Sequence, residues 1–143
     1  MRYSRYFNCS FFCSLTKVFF DSFTIFYIFS WFLIRGFRQA GEPIPILNNW
    51  LTDFVFVPLL VHFSYVFSYY LKLNTEKRKY PLYQIITISL YTSLVFEWLA
   101  PIYSNYNTAD WIDVIMYFAG GFFYYYIHQP YALKNLVTKS NHI

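Results

Sequence analysis

The chain has 143 residues, of which 57% are hydrophobic and 27% aromatic, whereas only 13% are charged and the formal net charge is +4. A water-soluble domain carries about twice that charge fraction, so neither an ordinary soluble globule nor a disordered chain fits, and the length supports one domain. With four glycines, two cysteines and no repeat of fixed period, collagen, solenoid and disulfide scaffolds are excluded as well.

The first seventeen residues (1–17) form a basic flank containing Arg2, Arg5 and Lys17. Cys9 and Cys13 lie in it without a second pair of ligands and are expected to be reduced bystanders. No small-x-small pattern follows Phe32, so cleavage as a signal peptide is not expected. The first span is predicted near 18–35, where Ser22 to Ile34 is uncharged. The second is predicted near 50–72, uncharged from Phe54 to Leu71, with Pro58 as a kink. The third is predicted near 82–101, in a stretch from Tyr80 to Ala109 whose single charge is Glu97. The fourth is predicted near 109–129, with Val114 to Leu133 uncharged, and 130–143 is left as a tail. A membrane-crossing helix needs roughly 17–25 mostly apolar residues. The apolar residues run consecutively, as in FVFVPLLVHF, rather than alternating as barrel strands do. The expected fold is therefore all-α: a polytopic membrane protein, a four-transmembrane-helix bundle occupying 18–129.

Charge in the connections predicts orientation. Of eleven Lys and Arg residues, nine fall in the N-terminal flank, the second connection (Lys72, Lys77, Arg78, Lys79) and the tail (Lys134, Lys139). Arg35 and Arg38 alone fall in the first connection, and the third has none. The positive-inside rule then puts both termini in the cytoplasm. Basic residues scattered over three short flanks do not make a nucleic-acid surface, so the expected partner is the lipid bilayer, with a homo-oligomer or a membrane partner protein where function requires more helices. Trp50, Trp98 and Trp111 are expected to anchor at the interface.

Acids within spans are costly and mark function. Asp53, Glu97, Asp110 and Asp113 all belong at the outer end in this topology, and Asp21 at the cytoplasmic end. At ~1.5 Å per helical residue, Glu97 lies roughly 6 Å below Pro101, Asp113 about 7 Å below Thr108, and Asp53 about 6–7 Å below Asn48 or Asn49. Each acid heads a stripe at helical spacing: Asp53, Val57, Val61 (or Leu60), Ser64 and Ser68; Glu97, Ser93 and Ser89; Asp110, Asp113, Tyr117, Gly120, Tyr124 and His128. Gly120-Gly121 permits close helix approach. Four carboxylates offer an oxygen-only site for a hard cation such as Mg²⁺ or Ca²⁺, with Arg35 and Arg38 as alternative ion-pair partners. Asp110 also suits a helix start. His62 and His128 are expected to be packing residues.

Phosphate loops, HExxH, GxSxG and Cys/His metal motifs are absent from the sequence, which favours a role other than catalysis. The segment FEWLAPIYSNYNTADWIDVIMYFAGGFFYY, with Glu97, Asp110, Asp113 and Gly120 or Gly121 in the matching places, resembles the signature of VanZ-like membrane proteins. Asn49, Asp53 and Pro58 add a resemblance to small four-helix membrane proteins of Bacteroidetes, some labelled magnesium citrate secondary transporter. The resemblance covers roughly residues 45–130 and implies a bacterial inner (plasma) membrane and an envelope role; VanZ-like proteins are associated with glycopeptide (teicoplanin) resistance. The leading expectation is a membrane protein with an outward-facing acidic cluster that binds a cation or cationic group. The alternatives are a small secondary transporter acting as an oligomer, an intramembrane enzyme on lipid-linked envelope precursors, and an assembly partner in a larger complex.

Overall fold

A computed structural model describes residues 19–42, 44, 47–70, 79–103 and 110–140. The N-terminal flank with Cys9 and Cys13, the basic connection around Lys77 and the loop with Asn105 lie outside the described residues. Among the described residues the fold is all-helical, without strands. Helix α1 is Ser22–Gln39 and α2 is Leu47–Tyr70. Helix α3 joins α-helical Leu82–Ser93, a π-helical stretch Leu94–Leu99 and a last turn Ala100–Tyr103. Helix α4 joins Trp111–Phe123, a π-helical stretch Tyr124–His128 and Gln129–Ser140, so it runs past the predicted end of the fourth span at 129.

Local chemistry explains where α1 begins and ends. Asp21 caps it, accepting from the Thr24 N–H at 2.8 Å. At the other end Gly41 adopts φ +80°, which lets Glu42 N–H reach the Phe37 carbonyl (3.2 Å) and Gly41 N–H the Arg38 carbonyl (3.4 Å). That double closure satisfies carbonyls the helix would otherwise leave open.

Both π stretches stand directly ahead of a proline. Pro101 and Pro130 lack an N–H, and an α-helical turn would drive each ring into the carbonyl four residues back, that of Glu97 or Tyr126. Widening the preceding turn relieves the clash: Ala100 N–H bonds to the Val95 carbonyl and Gln129 N–H to the Tyr124 carbonyl. Pro58 is handled differently. It sits inside α2 and offers no N–H to the Phe54 carbonyl four residues back; that carbonyl faces Gly120, where an added Cβ would lie 2.2 Å from the oxygen. Gly121 meets Ser89 and Ile85 of α3 in the same way. The two glycines thus let α4 lie between α2 and α3.

Helix α2 packs most extensively on α4, α1 packs on α2, and α3 packs on α4. Contacts ascend together along α2 and α4, from Asp53–Tyr117 to His62–His128, whereas α3 runs oppositely, with Phe96 beside Tyr117 and Ser89 beside Gly121. The core is Val57, Val61, Ile85, Tyr117 and Tyr124. Burial follows the middle of the predicted stripes: Val57, Val61, Ser89, Ser93, Tyr117, Gly120, Tyr124 and His128 are inside, whereas Asp53, Glu97, Asp113, Ser64 and Ser68 are half-buried, and Asp110 and Leu60, the alternative to Val61, are exposed. Several hydroxyls are satisfied within their own helices, Ser64 on Leu60, Ser89 on Ile85 and Ser93 on Ser89.

Polar residues share the interior with the apolar core, and many large apolar side chains face outward. Asp21, Thr24, His62, Ser89, His128 and Gln129 are buried, while Phe29, Phe32, Trp98, Ile102 and Ile115 are each more than 60% exposed. Among the described residues, two helical stretches are long and apolar enough to cross a membrane: Trp50–Ser68, of 19 residues, and Leu82–Tyr103, of 22 residues. Arg35, Arg38 and Gln39 dilute the end of α1, and Tyr124, Tyr125 and Tyr126 the middle of α4.

Candidate functional site

The topology brings Asp53, Glu97, Asp110 and Asp113 to one end of the bundle, because α2 and α4 begin there and α3 ends there. Asp53 accepts a hydrogen bond from the Tyr117 hydroxyl at 3.0 Å, tying α2 to α4. Glu97, within the π stretch of α3, accepts from the Asp110 backbone N–H at 2.8 Å and so holds the start of α4 against the end of α3. Asp110 caps α4, accepting from Ile112 N–H at 3.0 Å. Asp113 is partly exposed and within electrostatic reach of Asp53, Glu97 and Asp110.

Glu97 and Asp110 also line a pocket of about 410 Å³, together with Leu90, Leu94, Trp98, Trp111 and Val114. Its walls are mostly apolar, with two carboxylates at one side. The two cations expected as partners divide. The Arg35 guanidinium lies 5.2 Å from the centre of the Trp31 ring, stacked over a residue of its own helix. Arg38 is within electrostatic reach of Asp53, and both arginines line a smaller cleft of about 220 Å³ with Gln39 and Thr52.

A second cluster lies deeper in the bundle, about 13 Å further along α2 from Asp53 at 1.5 Å per residue. His128, in the π stretch of α4, bonds through Nε2 to Asp21 Oδ2 at 2.7 Å and through Nδ1 to the Tyr27 hydroxyl at 3.2 Å. His62 of α2 stacks on His128 with ring centres 4.5 Å apart. Asp21, His62 and His128 are all buried, and one ligand atom from each lies within 4.8 Å of the others. Among the described residues this is the group whose ligand atoms gather closely enough to hold a metal ion; no three of the four carboxylates at the end of the bundle do.

Sequence spacing did not reveal this cluster. Both histidines are fully buried, as packing residues would be, yet His128 is hydrogen-bonded to Asp21 and Tyr27, and His62 stacks on it. Asp21, His62 and His128 come from three helices and are separated by 41 and 66 positions, so no motif window holds them. The available signal was chemical: each is an ionisable side chain flanked by apolar residues, and such residues seek one another in an apolar interior.

No protein-family model matches this chain, and no curated protein or solved structure is significantly similar to it. The likeness to VanZ-like proteins rests on its motif residues alone.

Proposed function

We propose that the chain is a four-span protein of the bacterial inner membrane, with both termini in the cytoplasm, that receives a cationic group at the outer end of its bundle. The observation that carries this reading is the pocket in which Glu97 and Asp110 stand beside Trp98 and Trp111. Carboxylates supply charge, indole faces attract cations through their quadrupole, and apolar walls suit the alkyl part of an organic ammonium. A bare divalent ion would need several oxygens converging on one point. The dispersed carboxylates therefore favour an organic cation over Mg²⁺ or Ca²⁺, and no step of this reading requires catalysis.

The outward-facing apolar side chains support the membrane placement. Exposed Phe29, Phe32, Ile102 and Ile115 cost little against lipid and much against water. The distribution of Lys and Arg supports the orientation. A single cysteine introduced at Asn105, in a background without Cys9 and Cys13, should react with an impermeant reagent in intact cells, whereas one at Lys77 or Lys139 should not. Labelling at Lys77 would invert the bundle and place the acids in the cytoplasm.

Binding is tested on the full chain in nanodiscs by titrating an alkyl-trimethylammonium ion and following tryptophan fluorescence. Saturable binding is expected, weakened about 10-fold or more in Glu97→Gln, a loss in the range of one desolvated charge contact. Equal affinity in wild type and Glu97→Gln would remove the pocket as the binding site.

A further inference from the structure

We propose that Asp21, His62 and His128 hold a single divalent transition-metal ion of the zinc class, occluded between α1, α2 and α4. This site is separate from the pocket at Glu97 and stands whether or not that pocket binds a cation.

Geometry comes first. Zinc takes imidazole nitrogen at about 2.0–2.1 Å and carboxylate oxygen at about 2.0–2.2 Å in a tetrahedral shell, so its ligand atoms lie roughly 3.2–3.5 Å apart. The three ligand atoms here lie within 4.8 Å of one another, and His128 Nε2 and Asp21 Oδ2 are 2.7 Å apart. To bind the ion, the Asp21–His128 pair must open slightly and the stacked His62 and His128 rings must rotate so that one nitrogen of each faces the same point.

The donor set is selective. Two imidazoles and one carboxylate suit zinc and its transition-metal neighbours, whereas Mg²⁺ and Ca²⁺ take oxygen. The surroundings also fit. With His128 Nε2 on the ion, its Nδ1–H faces the Tyr27 hydroxyl at 3.2 Å, the outer partner that fixes a metal-binding imidazole. Asp21 Oδ1 is held by Thr24 N–H, which leaves Oδ2 for the ion. Tyr124 packs edge-on to His128 with ring centres 4.9 Å apart, and its buried hydroxyl has no hydrogen-bond partner among the described residues. The Thr24 hydroxyl is buried without a partner as well. Two imidazoles stacked beside a carboxylate in an apolar interior are expensive to desolvate. An ion bonded to all three offsets that cost and clasps α1 to α2 and α4.

The experiment uses the full chain in detergent, stripped with a chelator and titrated with Zn²⁺ alone. One equivalent should bind per chain, the melting temperature should rise with Zn²⁺ concentration, and X-ray absorption should report two imidazoles and oxygen around the metal. Zn²⁺ binding should be lost in His62→Gln and kept in Cys9→Ser/Cys13→Ser/His142→Ala, which removes the other soft or imidazole donors near the ends of the chain. Tyr27→Phe should weaken it about 10-fold through the outer shell. Failure to saturate, sulfur in the metal's first shell, or full affinity in His62→Gln would each overturn the site. Should His62→Gln not fold, the absorption spectrum of Cys9→Ser/Cys13→Ser/His142→Ala decides by itself: two imidazoles can then come only from His62 and His128 and uphold the site, and fewer overturn it.

Discussion

Asp21→Ala is expected to destabilise the fold by about 1.5–5 kcal/mol, the sum of a lost helix cap and a lost buried hydrogen bond. Two losses combine. The cap on Thr24 N–H disappears, which alone costs about 0.5–2 kcal/mol. His128 keeps its place in the interior but loses its Nε2 partner, and a buried polar group without a partner costs about 1–3 kcal/mol. Asp21→Asn retains an oxygen for the cap and should fall between wild type and alanine. Denaturant or thermal unfolding of the purified chain in detergent reads the difference, and a double-mutant cycle with His128→Ala separates the pair from the cap. A change under about 1 kcal/mol in Asp21→Ala would show that the Asp21–His128 contact carries no stability. Set against a total stability of about 5–15 kcal/mol for an ordinary domain, the expected loss is large enough to lower expression as well.

Gly120→Ala should be the most damaging single-methyl change in the bundle. The new Cβ would stand 2.2 Å from the Phe54 carbonyl oxygen and 2.9 Å from Pro58 Cδ. Backbone and a proline ring cannot swing aside as a long side chain does, so α2 and α4 must separate. Overpacking of this kind costs about 1–3 kcal/mol, and here it also pulls the core residues Val57, Tyr117 and Tyr124 apart. Gly36 supplies the control. It lies within α1 with nothing within 4 Å of an added Cβ, so Gly36→Ala should gain roughly 0.8–1 kcal/mol of helix propensity. The two variants should therefore shift the melting temperature in opposite directions. Equal shifts would mean that α4 does not approach α2 at Gly120.

The helices were legible because a chain with so few charges and such long apolar runs has little choice of secondary structure. Burial of the stripe Tyr117, Gly120, Tyr124 and His128 was legible for a related reason: helical periodicity decides which residues share a face. The π stretches were not read from the sequence. Their cause, Pro101 and Pro130, was in plain view, but whether a proline ends, kinks or widens a helix depends on what packs around it. Pro58 shows the contrast: it stays within a helix assigned as α throughout, beside a glycine of another helix.

The sites divide along the same line. Composition and periodicity by themselves determined an all-helical bundle and a common end for Asp53, Glu97, Asp110 and Asp113, because helix direction alternates and depth can be counted along each helix. What only the tertiary structure decided is which side chains meet. Glu97 turns to the Asp110 amide, Arg35 lies over Trp31, and Asp21 reaches His128 from 107 positions away. Periodicity reports the face of a helix, but not the partner across it. That partner is set by how helices rotate and slide to bury their polar groups together, and Asp21, His62 and His128 converge because an apolar interior leaves each of them nowhere better to go.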